Sequence, residues 1–288
     1  MMNKPMNVMA VVCHPADAID GAGGTLCLHA RRGDKVSVVV CTHGVDTHDL
    51  RRNDARRFGG RLPGSRKSAI GKKEKEVVKG MGLLGVRDVR FLRFPDEMLS
   101  VTRELIEAIA SEMAEVQPHV LVLHNPTETL GLADVGHADS AIAALKARYL
   151  ANTGRFLKKP CGRVFPAQVY FMCMNGNTNQ LTAEGDRYGN VLVDITPVVE
   201  LKVKAMDCLT SQYYPGKLAR KCIEDVNGRM GLHWCLPYAE AFQALEPHTY
   251  SALPLNEHLE KLASSPTEAH FRNMDIKVTQ VPFRATRS

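Results

Sequence analysis

A chain of 288 residues with 44% hydrophobic and 24% charged side chains has the composition of an ordinary soluble globular protein, long enough to bury a sizeable core. Its formal net charge of +6 is mild and spread out, which argues against nucleic acid as a partner and leaves an anionic small molecule open. Eight cysteines form no CxxC pair and no zinc-finger ladder, so free thiols and a reducing, cytoplasmic setting are expected. The sequence shows neither a signal peptide nor a stretch long enough to cross a membrane.

Met6 to Cys13 is apolar and β-branched, as a buried strand is. A helix follows over Gly23 to Arg32 and stops at Gly33-Asp34. Val36 to Cys41 reads as the second strand. Arg51 to Gly64, dense in arginine and glycine, reads as a loop. From Ser65 or Ser68 the pattern is helical to Leu84. A third strand lies between Val86 and Phe94. Ser100 suits the N-cap of a helix running to Val116, and Pro118 breaks the chain before a fourth strand, Val120 to Leu123. A long loop then covers Asn125 to Gly136, and Ala138 to Leu150 reads as an alanine-rich helix. From about residue 160 the pattern is less regular. Strands are expected at Val169 to Met174 and Val191 to Ile195, with the turn-rich run NGNTNQLTAEGDRYGN between them. Helices are expected at Leu201 to Ser211 and Tyr238 to Leu245, and the tail after Pro254 is polar. Nothing looks like a linker, so residues 1–288 are expected to form one domain.

Strands alternating with helices predict an α/β fold, a mainly parallel sheet with helices on both faces. In such a sheet the carboxyl ends of the strands share one edge, where open α/β folds place their chemistry. The four strand ends carry His14, Thr42-His43, Asp96 and His124-Asn125. His14 and Asp17, at i and i+3 after a strand, can place an imidazole and a carboxylate on one metal ion. A third ligand must then come from elsewhere, with His43, His48, His124, His137 and Asp139 available. The glycines at 21, 23 and 24 follow a strand and open a helix, yet their spacing is not GxGxxG, and strand two ends without an acid for a ribose. Close helix–sheet packing explains them better than a nucleotide does. The basic run from Arg51 to Lys79, Arg57 within it, offers guanidinium forks to a carboxylate or phosphate; a solvated or subunit-contact loop is the competing reading.

The run HPADAIDGAGGTL resembles the HPDDExxGxGGTL signature of the PIG-L, or LmbE-like, deacetylase family. Further matches follow in order: CTHG, the KKEKEVVKGMGLLGV helix with FLRFPDEML, VGHADSAIAAL, VDIT, KAMDCLTSQ and YAEAF. The resemblance implies a Rossmann-like fold and a zinc-dependent hydrolase that removes an N-acyl group, often from an amino sugar.

This chain departs from the pattern at the chemistry. Ala16 stands where the family places its general base, and Ser140 where it places a third metal histidine. Val135 replaces a frequent tyrosine. His14 and Asp17 keep the positions of two metal ligands, and His137 and Asp139 align with the first histidine and the acid of the GHPDH run. A branch similar to 4-oxalomesaconate hydratase also carries an alanine before the metal aspartate. The resemblance therefore implies zinc, or another divalent ion, on His14, Asp17 and His137. It implies Asp20 or Asp139 as a substitute base and His43 or His124 as an oxyanion donor, with Asp96, Asn125 and Arg57 contacting substrate. The leading expectation is hydrolysis of an N-acyl amide on a small polar substrate. The alternatives are hydration of an unsaturated oxo-acid and a non-catalytic relative that binds a ligand. A homo-oligomer is compatible with all three.

Overall fold

The computed structural model describes residues 4–127, 135–174 and 190–278. Seven strands form one sheet: β1 (Asn7–Val12), β2 (Lys35–Thr42), β3 (Asp88–Phe94), β4 (Val120–Leu123), β5 (Gln168–Met172), β6 (Val191–Asp194) and β7 (Ala239–Ala244). Their order is β3-β2-β1-β4-β5-β7-β6. The first five are parallel, and β7 pairs antiparallel with both β5 and β6. Among the described residues, ten α-helices accompany them: α1 (Asp17–Arg31), α2 (Leu50–Phe58), α3 (Arg66–Leu83), α4 (Arg103–Val116), α5 (Val135–Ala151), α6 (Val199–Met206), α7 (Lys217–Ile223), α8 (Arg229–Leu232), α9 (Glu257–Ala263) and α10 (Thr267–Met274).

The alternation along β1 explains the layering. Val8, Ala10 and Val12 join a core with Ile19, Ala22 and Leu26 of α1, Val77 and Met81 of α3, and Val203 and Met206 of α6. Met9, Val11 and Cys13 join the opposite core with Leu105, Ile109 and Met113 of α4 and the alanines of α5. Successive side chains of a strand point to opposite faces, so a strand that is apolar at every position must be covered on both. The fold is the mainly parallel α/β sheet with two helical layers that the strand–helix alternation predicts.

Several local expectations are corrected. Tyr238 to Leu245 is not a helix: its core is β7, paired on both sides. Alanine and glutamate favour helices, but the intrinsic preference of so short a segment is outweighed by two neighbouring strands. Its alternation is visible in hindsight, because Ala239 and Ala241 face one cluster and Phe242 the other. Arg51 to Gly64 is not all loop, since α2 occupies its first part, with the Asp49 side chain accepting from the Arg52 amide as a cap. Thr102, not Ser100, caps α4. The polar tail folds back as α9 and α10, and Val278 is buried in the first core. Most of the loop expected over Asn125 to Gly136, and of the turn-rich run that begins at residue 175, lies outside the described residues. All eight cysteines are unbridged. Among the described residues, no helix is long and apolar enough to cross a membrane.

Candidate active site

The carboxyl edge of the sheet gathers buried polar side chains from four separate turns. His14 follows β1, His43 follows β2, Asp96 follows β3 and His124 follows β4, and all four are buried. Asp17 opens α1, and α5 brings His137 from across the sheet.

Asp17 is the hub. Its Oδ2 accepts the His14 amide at 2.7 Å and lies 3.0 Å from His124 Nε2, 3.3 Å from His14 Nδ1 and 3.5 Å from His137 Nε2. The rings of His124 and His137 stack at 4.0 Å, and His48 lies 4.2 Å from the ring of His14. Burial pushes the Asp17 carboxyl up, but His137, His14 and the His124 hydrogen bond outweigh it and hold the group well below the usual carboxylate range.

His14, Asp17 and His137 each offer one ligand atom, and the three atoms lie within 4.8 Å of one another. Two imidazoles and a carboxylate are a donor set for zinc and similar ions. Around a tetrahedral ion with bonds of about 2.05 Å, neighbouring ligands stand about 3.3 Å apart. The separations of 3.3 Å and 3.5 Å from Asp17 suit that spacing, so the residues present fit such an ion.

A second cluster, His43, Asp46 and Asp96, has metal-type spacing too, but its charges are already met. Arg56 and Arg66 both pair with Asp46, and Arg66 also reaches His43 Nε2 at 2.9 Å. Two guanidiniums at its rim disfavour a further cation. Asp96 lies 2.8 Å from His43 Nδ1 and accepts the Asp46 amide, the Thr47 amide and the Thr47 hydroxyl. Thr47 in turn contacts His48 Nδ1 at 2.7 Å, which links this cluster to the ring beside His14.

Burial pushes the Asp96 carboxyl up, yet the His43 and Thr47 hydrogen bonds hold it far below its ordinary value. A carboxyl with a depressed folded pKa contributes stability above its unfolded pKa of about 3.9, and that contribution is lost as pH falls through the folded value. Asp96→Asn should therefore lower stability by about 3 kcal/mol at neutral pH, as breaking a buried charged pair does. The gap to wild type should narrow as pH drops below about 4. Denaturant unfolding at pH 7 and pH 3 checks this, and an equal gap at both would contradict it.

The other expected residues are placed as follows. Asp20 is half-buried, one turn beyond Asp17, and its Oδ2 accepts the Tyr214 hydroxyl at 3.4 Å. Burial, with the nearby Asp17 and Glu240 charges, raises its pKa against the opposing pull of Lys202. Asp139 is half-buried on α5, and burial raises its pKa too. Ser140 donates its hydroxyl to the His137 carbonyl one helical turn back. Asn125 accepts the Thr127 amide and hydroxyl and donates toward Gln243, so its side chain shapes the turn after β4. Arg57 is exposed on α2; Arg52, four residues before Arg56, is buried, and Arg56, though exposed, donates to Asp46 Oδ1. Once the segment is seen as a helix, that spacing selects Arg56 rather than Arg57. Sequence reasoning also missed Thr47, Arg66 and Tyr214, each of which has a partner more than twenty residues away that no local pattern signals.

Fold and site together define an α/β protein with a histidine–aspartate cluster of metal-binding type at the carboxyl edge of its sheet. Residues 9–147 match the family model described as PIG-L, GlcNAc-PI de-N-acetylase, and this stretch belongs to the PIG-L/LmbE family. No curated protein matches the chain. Solved structures share the fold over most of the chain. A conserved protein from Thermus thermophilus has a TM-score of 0.66 at 20% identity, covering 87% of this chain and 100% of the other. GalB, the 4-carboxy-2-hydroxymuconate hydratase from Pseudomonas putida, has a TM-score of 0.64 at 20% identity, covering 86% and 100%. The N,N'-diacetylchitobiose deacetylase from Pyrococcus horikoshii has a TM-score of 0.63 at 21% identity, covering 83% of each chain.

Proposed function

We propose that this protein is a metal-dependent hydrolase that removes an N-acyl group from a small polar substrate such as an N-acetyl amino sugar. The observation that carries the reading is the meeting of His14, Asp17 and His137 at the sheet edge, inside a stretch of the PIG-L family. A fold shared with a chitobiose deacetylase agrees with it. Zinc or another divalent ion, when bound, supplies a Lewis acid and lowers the pKa of a water. His14, Asp17 and His137 hold that ion. His124, with Nε2 at 3.0 Å from Asp17, orients the carboxylate, as outer partners of metal ligands do. Asp20, whose raised pKa suits a group that takes up and returns a proton, replaces the base absent at Ala16. Asp139 is the second carboxyl with a raised pKa.

A second reading, hydration of an unsaturated oxo-acid, is favoured by one observation in particular. Ala16 is buried among apolar side chains and can accept no proton. Arg56 and Arg66 beside the site suit an anionic substrate, and the fold is shared with a hydratase. The test is to load purified protein with Zn²⁺ and follow acetate release from N-acetyl amino sugars alongside hydration of unsaturated oxo-dicarboxylates. Metal-dependent acetate release is expected. Hydration alone would replace the first reading with the second, and metal or substrate binding without turnover would make the protein a ligand-binding relative.

A further inference from the structure

In an uninterrupted α-helix the carbonyl of residue 20 and the amide of residue 24 are hydrogen-bond partners. In α1 both are engaged by an ion pair from elsewhere in the chain. Lys202 Nζ, on α6, donates to the Asp20 carbonyl at 2.6 Å. Glu240, on β7, accepts the Gly24 amide at 2.8 Å through Oε1 and the Thr25 amide at 2.7 Å through Oε2. Lys202 also donates to Glu240 Oε1 at 2.8 Å and to Asn227 Oδ1 at 2.9 Å. The three donors of the ammonium are thereby matched by three acceptors. Both charged side chains are fully buried. Gly24 permits the approach, because a Cβ there would stand 3.1 Å from Glu240 Oε1 and 2.6 Å from Ile195 Cγ2.

A buried ion pair is weak evidence for stability, since apolar residues of similar volume often do as well or better. What this pair does is specific in another way. One of its hydrogen bonds ends on the Asp20 carbonyl, in the turn that carries Asp17 and Asp20, and the other two end on the Gly24 and Thr25 amides one turn further along the same helix. Lys202, Glu240 and Asn227 all lie beyond residues 9–147, so the contact comes from outside the stretch that carries the family match.

We propose that Lys202 and Glu240 are positioning residues for the candidate metal site: from the C-terminal half of the chain they hold the turn of α1 that presents Asp17 and Asp20. This rests on the metal-dependent reading above. Around Asp20 stand Lys202 of α6, Tyr214, Cys222 of α7, Glu240 of β7 and Asp17 of its own helix. Lys202 is the one cation among these groups.

The experiment compares wild type with Lys202→Met, Glu240→Gln and the double variant Lys202→Met/Glu240→Leu. Thermal melting establishes which variants fold, Co²⁺ titration reads the site, and NMR titration of the Asp20 carboxyl reads the metal-free chain. The double variant removes both charges together and leaves neither buried without its partner, so it keeps the test open if the single variants do not fold. The expected result is Co²⁺ affinity weakened about 10–100-fold in folded variants, the range for partners outside the ligand set. Asp20 is also expected to titrate at higher pH in Lys202→Met. Folded variants that bind Co²⁺ as tightly as wild type would overturn the proposal. Should wild type take up no Co²⁺, the proposed function fails by itself, and the Asp20 titration in Lys202→Met decides the positioning role: an unchanged titration overturns it.

Discussion

Asp17→Asn is expected to lose more metal affinity than the roughly 10–100-fold that removal of a partner outside the ligand set costs. One oxygen, Asp17 Oδ2, stands within 3.5 Å of nitrogens from His14, His124 and His137. Asparagine keeps the shape but not the charge, and half of its head group is an amide NH₂, a donor whose nitrogen does not ligate a metal. Turnover should fall with the metal. The metal-free protein should be affected too, with a definite sign. Because the folded Asp17 pKa is depressed, its carboxylate contributes stability above the unfolded value of about 3.9 and loses it as pH falls through the folded value. Metal-free Asp17→Asn should thus be less stable than wild type at pH 7, by an amount that shrinks in acid. Calorimetric titration with Zn²⁺ and denaturant unfolding at two pH values measure the two effects. A variant that still binds Zn²⁺ like wild type would remove His14–Asp17–His137 as the metal site.

Ala16→Asp carries the second large effect, and it separates the two readings of the chemistry. Residue 16 directly precedes α1 and is 2% exposed, packed with the apolar cluster beneath the sheet edge. A carboxylate there meets Asp17 next in sequence, so the substitution should destabilise the protein by about 1–3 kcal/mol. If the protein is a hydrolase lacking its usual base, the same change restores a proton acceptor next to the metal ligands. A positioned base contributes about 10²–10⁴-fold. Acetate release from an N-acetyl amino sugar should rise by a factor in that range in the folded, metal-loaded variant. A hydratase gains nothing from this carboxylate, and hydration should be unchanged or weaker. No rise in acetate release from a variant shown to be folded and metal-loaded would count against the deacylase reading and leave hydration as the better account.

Both substitutions concern residues that stand out in the sequence, because a strand and the turn leaving it are local objects. The β-branched run through Val12 and the β-strand at Val36 to Cys41 announce themselves by composition, and the order of strands and helices implies a parallel sheet. Once the sheet is parallel, His14, His43, Asp96 and His124 fall on one edge without further information. Helix ends were less legible: Asp49 and Thr102 act as caps, yet neighbouring polar residues offer the same chemistry.

What the amino-acid sequence determined by itself was therefore the identity of the elements up to α5, α2 excepted, and the edge on which polar groups collect. Which of those groups meet is a tertiary matter. His124 and His137 reach Asp17 across more than a hundred residues, and only the packing of β4 and α5 against β1 brings their rings together. Arg56 and Arg66 fill Asp46 because the last turn of α2 and the first turn of α3 both reach the residues that follow β2, which leaves the second histidine–carboxylate cluster an ion network. At β7, alanine and glutamate read as a helix until β5 and β6 pair with it from both sides, and that pairing places Glu240 on the amides of Gly24 and Thr25. Local sequence carries local propensity, whereas these contacts exist only when distant segments displace water from one another, and no short window of residues records that.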